Sequence, residues 1–595
     1  MSHLLLPKSP TEEQQAVLDS PHRVTVVRAC PGAGKTEVFV EAIRRKLEKW
    51  PDIPGGLAAL SFTNIARDTI EARVGSAVTA PHFVGTLDAF AFRFVVKPFG
   101  HLVGLPAGAV RLFPAVLCDQ LDHPSVQVGS VPSARATLYD VHFIGWDGKH
   151  AIMRADVAVS AGMTRQVAVS PDRLKIIWDQ KRDFWKKTGI ITHSDCHFLA
   201  WWILIHKTHG AAVRQLLLKR FPVIFIDELQ DTGSCLAKAF LALFGEPGMS
   251  GLVVGDPNQA IYGFGGASPT VFSDFEALSG AVPFTIKLSQ RCPKSVAQVA
   301  TALSASGVPV EPLPGAVQGS VMLLVHSLAD TKLTQTQAKI IRDLQLGAEL
   351  AVITRKTATA RALRGTVVRD EFKGKSGAAR KVNIAVQRLL SGEPREAAQI
   401  VERELCRVVL GNDRAGQEAI EKLKISRGQW RAAVFSILLA GVRKVKGETW
   451  NQWTERMKRA VRASAASVGW TGNDKALRAY MKCAAKGEEL RGVLLDVPVA
   501  PLWGSADNVS TIHKVKGAEF DTVMLFVPKP TKNQCPSVQW WAGGDAEEQR
   551  IAFVAASRAK QRLILCVHSE THAALMKTRP EFIGLFQETL ALPVA

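Results

Sequence analysis

The run VTVVRACPGAGKTEVFVEAIRRKL (24–47) constrains this chain more than any other feature. An apolar strand passes into a Gly-rich loop and then directly into a helix. Gly32 and Gly34 let backbone N–H groups close on an anion where a side chain would block the approach. The helix that follows aims its positive end at the same point. The loop Ala29, Cys30, Pro31, Gly32, Ala33, Gly34, Lys35 and Thr36 is therefore a candidate phosphate cradle, with Ala29 standing where the general GxxxxGK[ST] pattern has its first glycine. Lys35 would reach the β- and γ-phosphates and Thr36 would hold Mg²⁺.

Such a loop needs a parallel sheet beneath it, and the sequence supplies one. Val24–Val27, LAALSF (57–62), FPVIFIDE (221–228) and GLVVGD (251–256) are short apolar runs, each ending in a turn or a helix start. The same texture returns at LAVITR (350–355), DTVMLFV (521–527) and RLILCV (562–567). Strands alternating with helical patterns predict an α/β chain with two parallel sheets, each interrupted in sequence. Hydrophobic residues at 47% and charged residues at 22% are ordinary for a globular chain and exclude a fibre or a disordered one. The longest apolar stretch of note, Phe198 to Ile205, is far short of the roughly 18–20 residues a membrane span needs. The start MSHLLLPKSP has no basic leader, and the nine cysteines are scattered without a CxxC pair, so a zinc ribbon, an iron–sulfur cluster and a disulfide framework lack support. A cytoplasmic protein without a membrane partner is the expectation.

VIFIDELQDT supplies the second half of a nucleotide site. Asp227 and Glu228 close an apolar strand, Asp227 as a candidate Mg²⁺ ligand and Glu228 as the general base that polarises the attacking water. An acid pair of this kind favours hydrolysis over transfer to a small acceptor.

The order of motifs resembles the UvrD/Rep-like branch of superfamily 1 helicases across both sheet regions. SPTEEQQAV (9–17) resembles that family's Q motif, LSFTNIARDTI (60–70) its TFTN motif, GTLDAF (85–90) the next DNA-contacting motif, DELQD (227–231) its DExQD, and GDPNQAIYGF (255–264) its GDxxQxIYxW. IKLSQRCP (286–293), STIHKVKGAEFD (510–521) and EEQRIAFVAASRAK (547–560) resemble LxxNYRxP, TxHxxKGxEF and EExRLxYVxxTRA. The resemblance implies two RecA-like domains, each carrying an inserted helical or α+β subdomain, with ATP and Mg²⁺ between them. It makes Gln14 the reader of adenine and Gln259 the link from γ-phosphate to DNA. Arg291 and Arg558 become arginine fingers, and Gly517 and Glu519 nucleotide-side residues near Lys516. Phe62, Thr63, Asn64, Thr86, Tyr262, Phe264 and His513 become contacts to single-stranded DNA. The expected division is 1–91 with 186–274 for the first core, 92–185 for its insertion, 275–365 with 506–595 for the second core, and 366–505 for a basic helical insertion.

Three positions depart from the family's pattern. IYGFGGA keeps an aromatic at Phe264 but has Gly265 in place of an arginine, and Gln290 stands where an aromatic would stack on adenine. Weaker ATP binding or looser base choice is the expectation, with hydrolysis intact.

Charge points to a polyanionic partner. Lys and Arg exceed Asp and Glu by 74 to 54, and residues 366–500 hold 26 basic against 15 acidic side chains. Trp430, Trp450, Trp453 and Trp470 lie in that basic stretch, where indoles either stack on bases or fill a helical core. Trp201 and Trp202 read as core, and His193 and Asp195 take no catalytic role.

The function expected is an ATP-dependent DNA helicase or translocase, moving 3′ to 5′ and acting on single-stranded and tailed duplex DNA. The alternative is a DNA-gated regulatory ATPase beside a separate nuclease, suggested by a short second insertion and only 37 residues after Arg558. RNA remodelling is a third and poorer reading.

Overall fold

A computed structural model describes residues 9–75, 79–112, 125–130, 135–146, 151–160, 163–263, 266–328, 350–363, 377–390, 394–410, 420, 423–443, 448–472, 509–530 and 546–592. The chain opens with α1 (Glu12–Leu18), whose start is fixed by a capping box between Thr11 and Gln14. Then come β1 (Val24–Ala29), α2 (Lys35–Glu48), β2 (Leu57–Ser61), α3 (Asn64–Val74) and β3 (Phe83–Thr86). After an insertion the first sheet resumes with β4 (Val223–Ile226), β5 (Ser250–Gly255) and β6 (Ala281–Ile286). Its order is β6-β1-β5-β4-β2-β3, and every pairing is parallel.

These strands read as unbroken apolar runs because both faces are covered. Along β2, Leu57 and Ala59 point into one core cluster while Ala58 and Leu60 point into another; β4 repeats this with Val223 and Phe225 against Ile224 and Ile226. One face packs against α2 and the second core. The other carries the insertion, whose α4 (Pro171–Thr188) and antiparallel strands (141–146, 151–160, 163–168) bury Phe143 and Trp185 in the same cluster as Val24 and Leu60. The first insertion and the first sheet therefore share one core. In the helix α5 (His193–Ile205) that follows it, Trp201 is buried and Trp202 packs against the cluster.

The next elements are α6 (Ser234–Phe244) and α7 (Lys294–Ala302). The second sheet contains β7 (Ser320–His326), β8 (Leu350–Thr354), β9 (Val509–Thr511), β10 (Phe520–Val527), β11 (Ala559–His568) and β12 (Glu588–Ala591), in the order β9-β8-β10-β11-β7-β12, again all parallel. Between β8 and β9, after a short helix at Thr357–Leu363, the described residues include α8 (Gly377–Leu390), α9 (Pro394–Leu410), α10 (Arg427–Val442) and α11 (Trp450–Ser467). They enclose a separate core in which Trp430 and Trp453 are buried and against which Trp470 packs, so these indoles are core residues; the Trp450 side chain lies outside the described residues. The helix α12 (Ala546–Ala556) packs on β10 beside the cleft.

One expected boundary moves. Residues 281–286 fall in the second core by the expected division, whereas β6 pairs with β1 along Val24–Ala29 in the first sheet. Pro283 sits on this strand, which is possible because β6 is an edge and its outer side needs no donor. The crossing to the second core follows β6, at the loop holding Arg291.

Candidate nucleotide and DNA site

Five motifs of the first core lie at the carboxyl end of its sheet: the phosphate loop after β1, SFTN after β2, GTLDAF after β3, DELQD after β4 and GDPNQ after β5. In a parallel sheet this is the edge at which ligands gather.

The loop conformation depends on its glycines. Gly32 and Gly34 have φ of 72° and 70°, a left-handed backbone that glycine tolerates. There is also no room for a side chain, since a Cβ on Gly32 would lie 2.5 Å from Cβ of Arg291 and one on Gly34 2.6 Å from Nε2 of Gln14. Ser289 Oγ donates to Pro31 O at 2.7 Å, and Gln290 N to Gly32 O at 2.8 Å, so the loop is tied to the crossing segment. Lys35 Nζ rests on the carbonyls of Ala29 and Cys30, at 3.4 and 3.2 Å. Gln14 accepts from Thr11 N and donates to Ala33 O at 2.9 Å, bracing the loop from α1. Thr36 starts α2 beside Lys35.

Below the loop sits a buried acid cluster. Glu228 has φ 56° and ψ 45°, a strained setting for a side-chain-bearing residue and one that gathers at functional sites. Its N–H donates to Asp227 Oδ1 at 2.9 Å, and its carboxylate accepts from Gln230 Nε2. Burial and then the neighbouring Glu228 push Asp227 up to about 7, against the pull of Lys35. For Glu228 burial would raise the carboxyl, but Lys35, Lys516 and the Gln230 hydrogen bond outweigh it and lower it. The same cluster holds two acids not singled out from the sequence. Asp256 accepts from Gln259 Nε2 at 2.7 Å, and its N–H donates to Gln230 Oε1. Asp231 meets Lys516. Both acids lie within recognised motifs, and their position after an apolar strand was the available signal.

The second core enters this cluster from across the cleft. Arg558, 1% exposed, donates to Gln259 Oε1 at 3.2 Å and to the carbonyls of Val554 and Ala518. Arg291 pairs with Glu519 at 2.6 Å and donates to Ser557 O. Lys516 Nζ contacts both oxygens of Asp231, at 2.5 and 2.6 Å, and Gln259 O at 2.6 Å. Gly517, with φ 87°, turns the chain directly after that lysine. Lys35, Glu228, Gln259 and Arg558 are therefore brought together in one cleft.

A row of rings leads away from it. Phe62 stacks on Tyr262 with centroids 5.8 Å apart, and Tyr262 meets His513 at 6.0 Å. The Lys516 ammonium sits 5.0 Å over the Tyr262 ring, linking this row to Asp231. His513 Nε2 lies 3.2 Å from Ile261 O, and burial lowers its pKa. Thr63 and Thr86 cap the helices that follow them by accepting from Ala66 N and Ala89 N, while Asn64 Oδ1 accepts from Arg67. Phe264 and Gly265 lie outside the described residues.

Two family models match: the UvrD/REP helicase N-terminal domain over residues 10–114 and 185–278, and the UvrD-like helicase C-terminal domain over 505–570. The chain thus carries both domains by which UvrD/Rep-like helicases are recognised. Among relatives, this UvrD/Rep-like chain is 26% identical over 278 residues to the ATP-dependent DNA helicase srs2 of Schizosaccharomyces pombe, covering 42% of this chain and 30% of that one. It is 24% identical over 250 residues to the Gabija protein GajB of Bacillus cereus, covering 42% and 40%. It is 23% identical over 318 residues to DNA helicase II of Salmonella typhimurium, covering 51% and 41%. The matches thus span less than half the length of each relative. No helix among the described residues is long and apolar enough to cross a membrane, and none of their His, Cys, Asp and Glu side chains form a group of three that could hold a metal ion.

Proposed function

We propose that this chain hydrolyses ATP with Mg²⁺ to move along single-stranded DNA, 3′ to 5′, separating tailed duplexes as it goes. The observation that carries the reading is the meeting of Lys35, Glu228 and Gln259 of the first core with Arg558 of the second. The loop suits a triphosphate: its backbone is open where any Cβ would intrude, and the Lys35 ammonium rests on two backbone carbonyls, from which it can turn to an anion. Thr36 and Asp227 are the residues to hold Mg²⁺, which when bound neutralises charge on the β- and γ-phosphates.

The protein's own part is positioning. Glu228, kept ionised by Lys35 and Lys516, takes the proton of the attacking water. Arg558 and Arg291 reach the γ-phosphate only while the cleft is closed, so closure and hydrolysis are one event. Gln259 touches Arg558 with its side chain and Lys516 with its carbonyl, and Lys516 lies over Tyr262. A change at the γ-phosphate thereby reaches the ring row on which bases would stack, at about 1–3 kcal/mol per base.

The test is hydrolysis by the full chain with and without single-stranded DNA, beside strand displacement from 3′- and 5′-tailed duplexes. Strong DNA stimulation, lost in Lys35→Ala and Glu228→Gln, with displacement from the 3′ tail alone, supports the reading. Stimulated hydrolysis without displacement on either substrate would replace it with the regulatory ATPase. Hydrolysis indifferent to DNA would remove both.

A further inference from the structure

The helix Leu87–Phe90 begins directly after Thr86 and carries Asp88, on the edge of the first core proposed above to face DNA. A bare carboxylate there would repel a phosphate backbone. Two imidazoles answer it: His193 Nδ1 lies 2.7 Å from Asp88 Oδ2, and His197 Nε2 lies 2.6 Å from Oδ1. The two histidines are four residues apart on α5 and so share one face. Each commits one ring nitrogen to Asp88 and keeps the other. Side-chain exposure is 45% for His193 and 24% for His197, so solvent and ligand reach the trio.

We propose that His193 and His197, oriented by Asp88, form a phosphate contact on the DNA-facing edge, with a charge set by the protonation of the two rings. With both rings neutral the trio carries one negative charge; with both protonated it carries one positive charge and offers each second N–H to a phosphate oxygen. The proposal rests on the DNA reading of this edge. The hydrogen bond to Asp88 favours protonated His193 over the opposing effect of burial. Asp88 is half-buried, and although desolvation opposes it, its two histidine partners hold its carboxyl well below the usual carboxylate range.

Other charged groups on the surrounding elements have their own partners. Asp195 of α5 pairs with Lys181, and Arg214 pairs with Glu246. Arg93 lies over the rings of Phe83 and Phe94, and Lys238 over Trp201. Arg220 donates to Pro81 O, with Lys219 beside it in the last turn of its helix. The buried Cys196 thiol is pushed up by desolvation and stays neutral. His101, His142 and Cys235 also lie on elements packed against α5, and Asp179, Arg182 and Asp183 lie on α4.

The experiment is anisotropy of a labelled oligothymidylate bound by the full chain, without nucleotide, at constant ionic strength from pH 8 to pH 6. The wild type should bind about tenfold tighter at pH 6, the scale of one additional charge-assisted hydrogen bond to phosphate. The His193→Gln/His197→Gln variant should cut that response to about twofold, and Asp88→Asn should tighten binding at pH 8 by removing a negative charge. His193→Gln alone, the more exposed change, covers the case in which the double variant melts early. An unchanged pH response in the histidine variants, or weaker binding by Asp88→Asn at pH 8, overturns the proposal. Absence of DNA binding by the wild type at every pH overturns the DNA reading beneath it.

Discussion

Arg558 is the side chain on which most of the site's geometry turns. Burial, followed by repulsion from Arg291, pushes its guanidinium down to about 9, so it remains charged at neutral pH. That charge faces Gln259 and the acids around Glu228, and a γ-phosphate is the anion it fits. Arg558→Ala should lower DNA-stimulated turnover by about 10³–10⁵. Arg558→Lys should recover little, because an ammonium cannot bridge Gln259, Ser557 and two carbonyls together. Steady-state hydrolysis decides it, and turnover near wild type in Arg558→Ala would remove the finger role. At this scale much was legible, since Lys35, Asp227, Glu228 and Gln259 each follow an apolar strand with a distinctive neighbour. Asp231 and Lys516 were harder to pair because 285 residues separate them and no local pattern names a partner that far away.

Among the elements, α4 and α5 are joined by a buried ion pair rather than by apolar contact alone. Lys181 Nζ lies 2.5 Å from Asp195 Oδ1 and 2.7 Å from Val141 O, while Trp185 Nε1 donates to Asp195 Oδ2. Both side chains are almost wholly excluded from solvent. Lys181→Met should cost about 3–5 kcal/mol in denaturant unfolding because it leaves Asp195 buried without its cation. A loss below about one kilocalorie would show that Asp195 finds another partner. From sequence, THSDCHF offers only an acid before a hydrophobic helix, and nothing in it places Lys181 beneath. The same limit applies to the tryptophans of the basic insertion. An indole among lysines and arginines suits a base or a core equally well, and packing alone puts Trp430 and Trp453 inside. AVPFTI is hard to place for a related reason: its proline disguises an edge strand, and the motif after it draws it towards the second core.

Across the whole molecule, one apolar cluster runs from Val27 and Phe39 of the first core to Leu323 and Leu525 of the second. The two halves are thus packed as well as bridged, and Asp231–Lys516 is a buried ion pair between them. Burial pushes Asp231 up to about 7 despite Lys516. A carboxyl raised above its unfolded value gives stability at low pH that declines as pH rises from about 4 towards 7. Asp231→Asn should flatten that slope between about pH 4.5 and 7.5 in thermal melts at fixed ionic strength. A slope identical to wild type would mean that Asp231 is ionised throughout, held so by Lys516.

Among the described residues, α8–α11 enclose an apolar core of their own, whereas the first insertion shares one with the sheet beneath it. Natural variation inside α8–α11 is therefore screened by whatever that bundle touches, and hardly at all by the nucleotide cleft. A change at Phe143 or Trp185 has no such latitude, because it alters the floor on which β1 and β2 rest. Over generations the first insertion is tied to the engine's pace of change, while the second can acquire new surfaces as an independent lineage would.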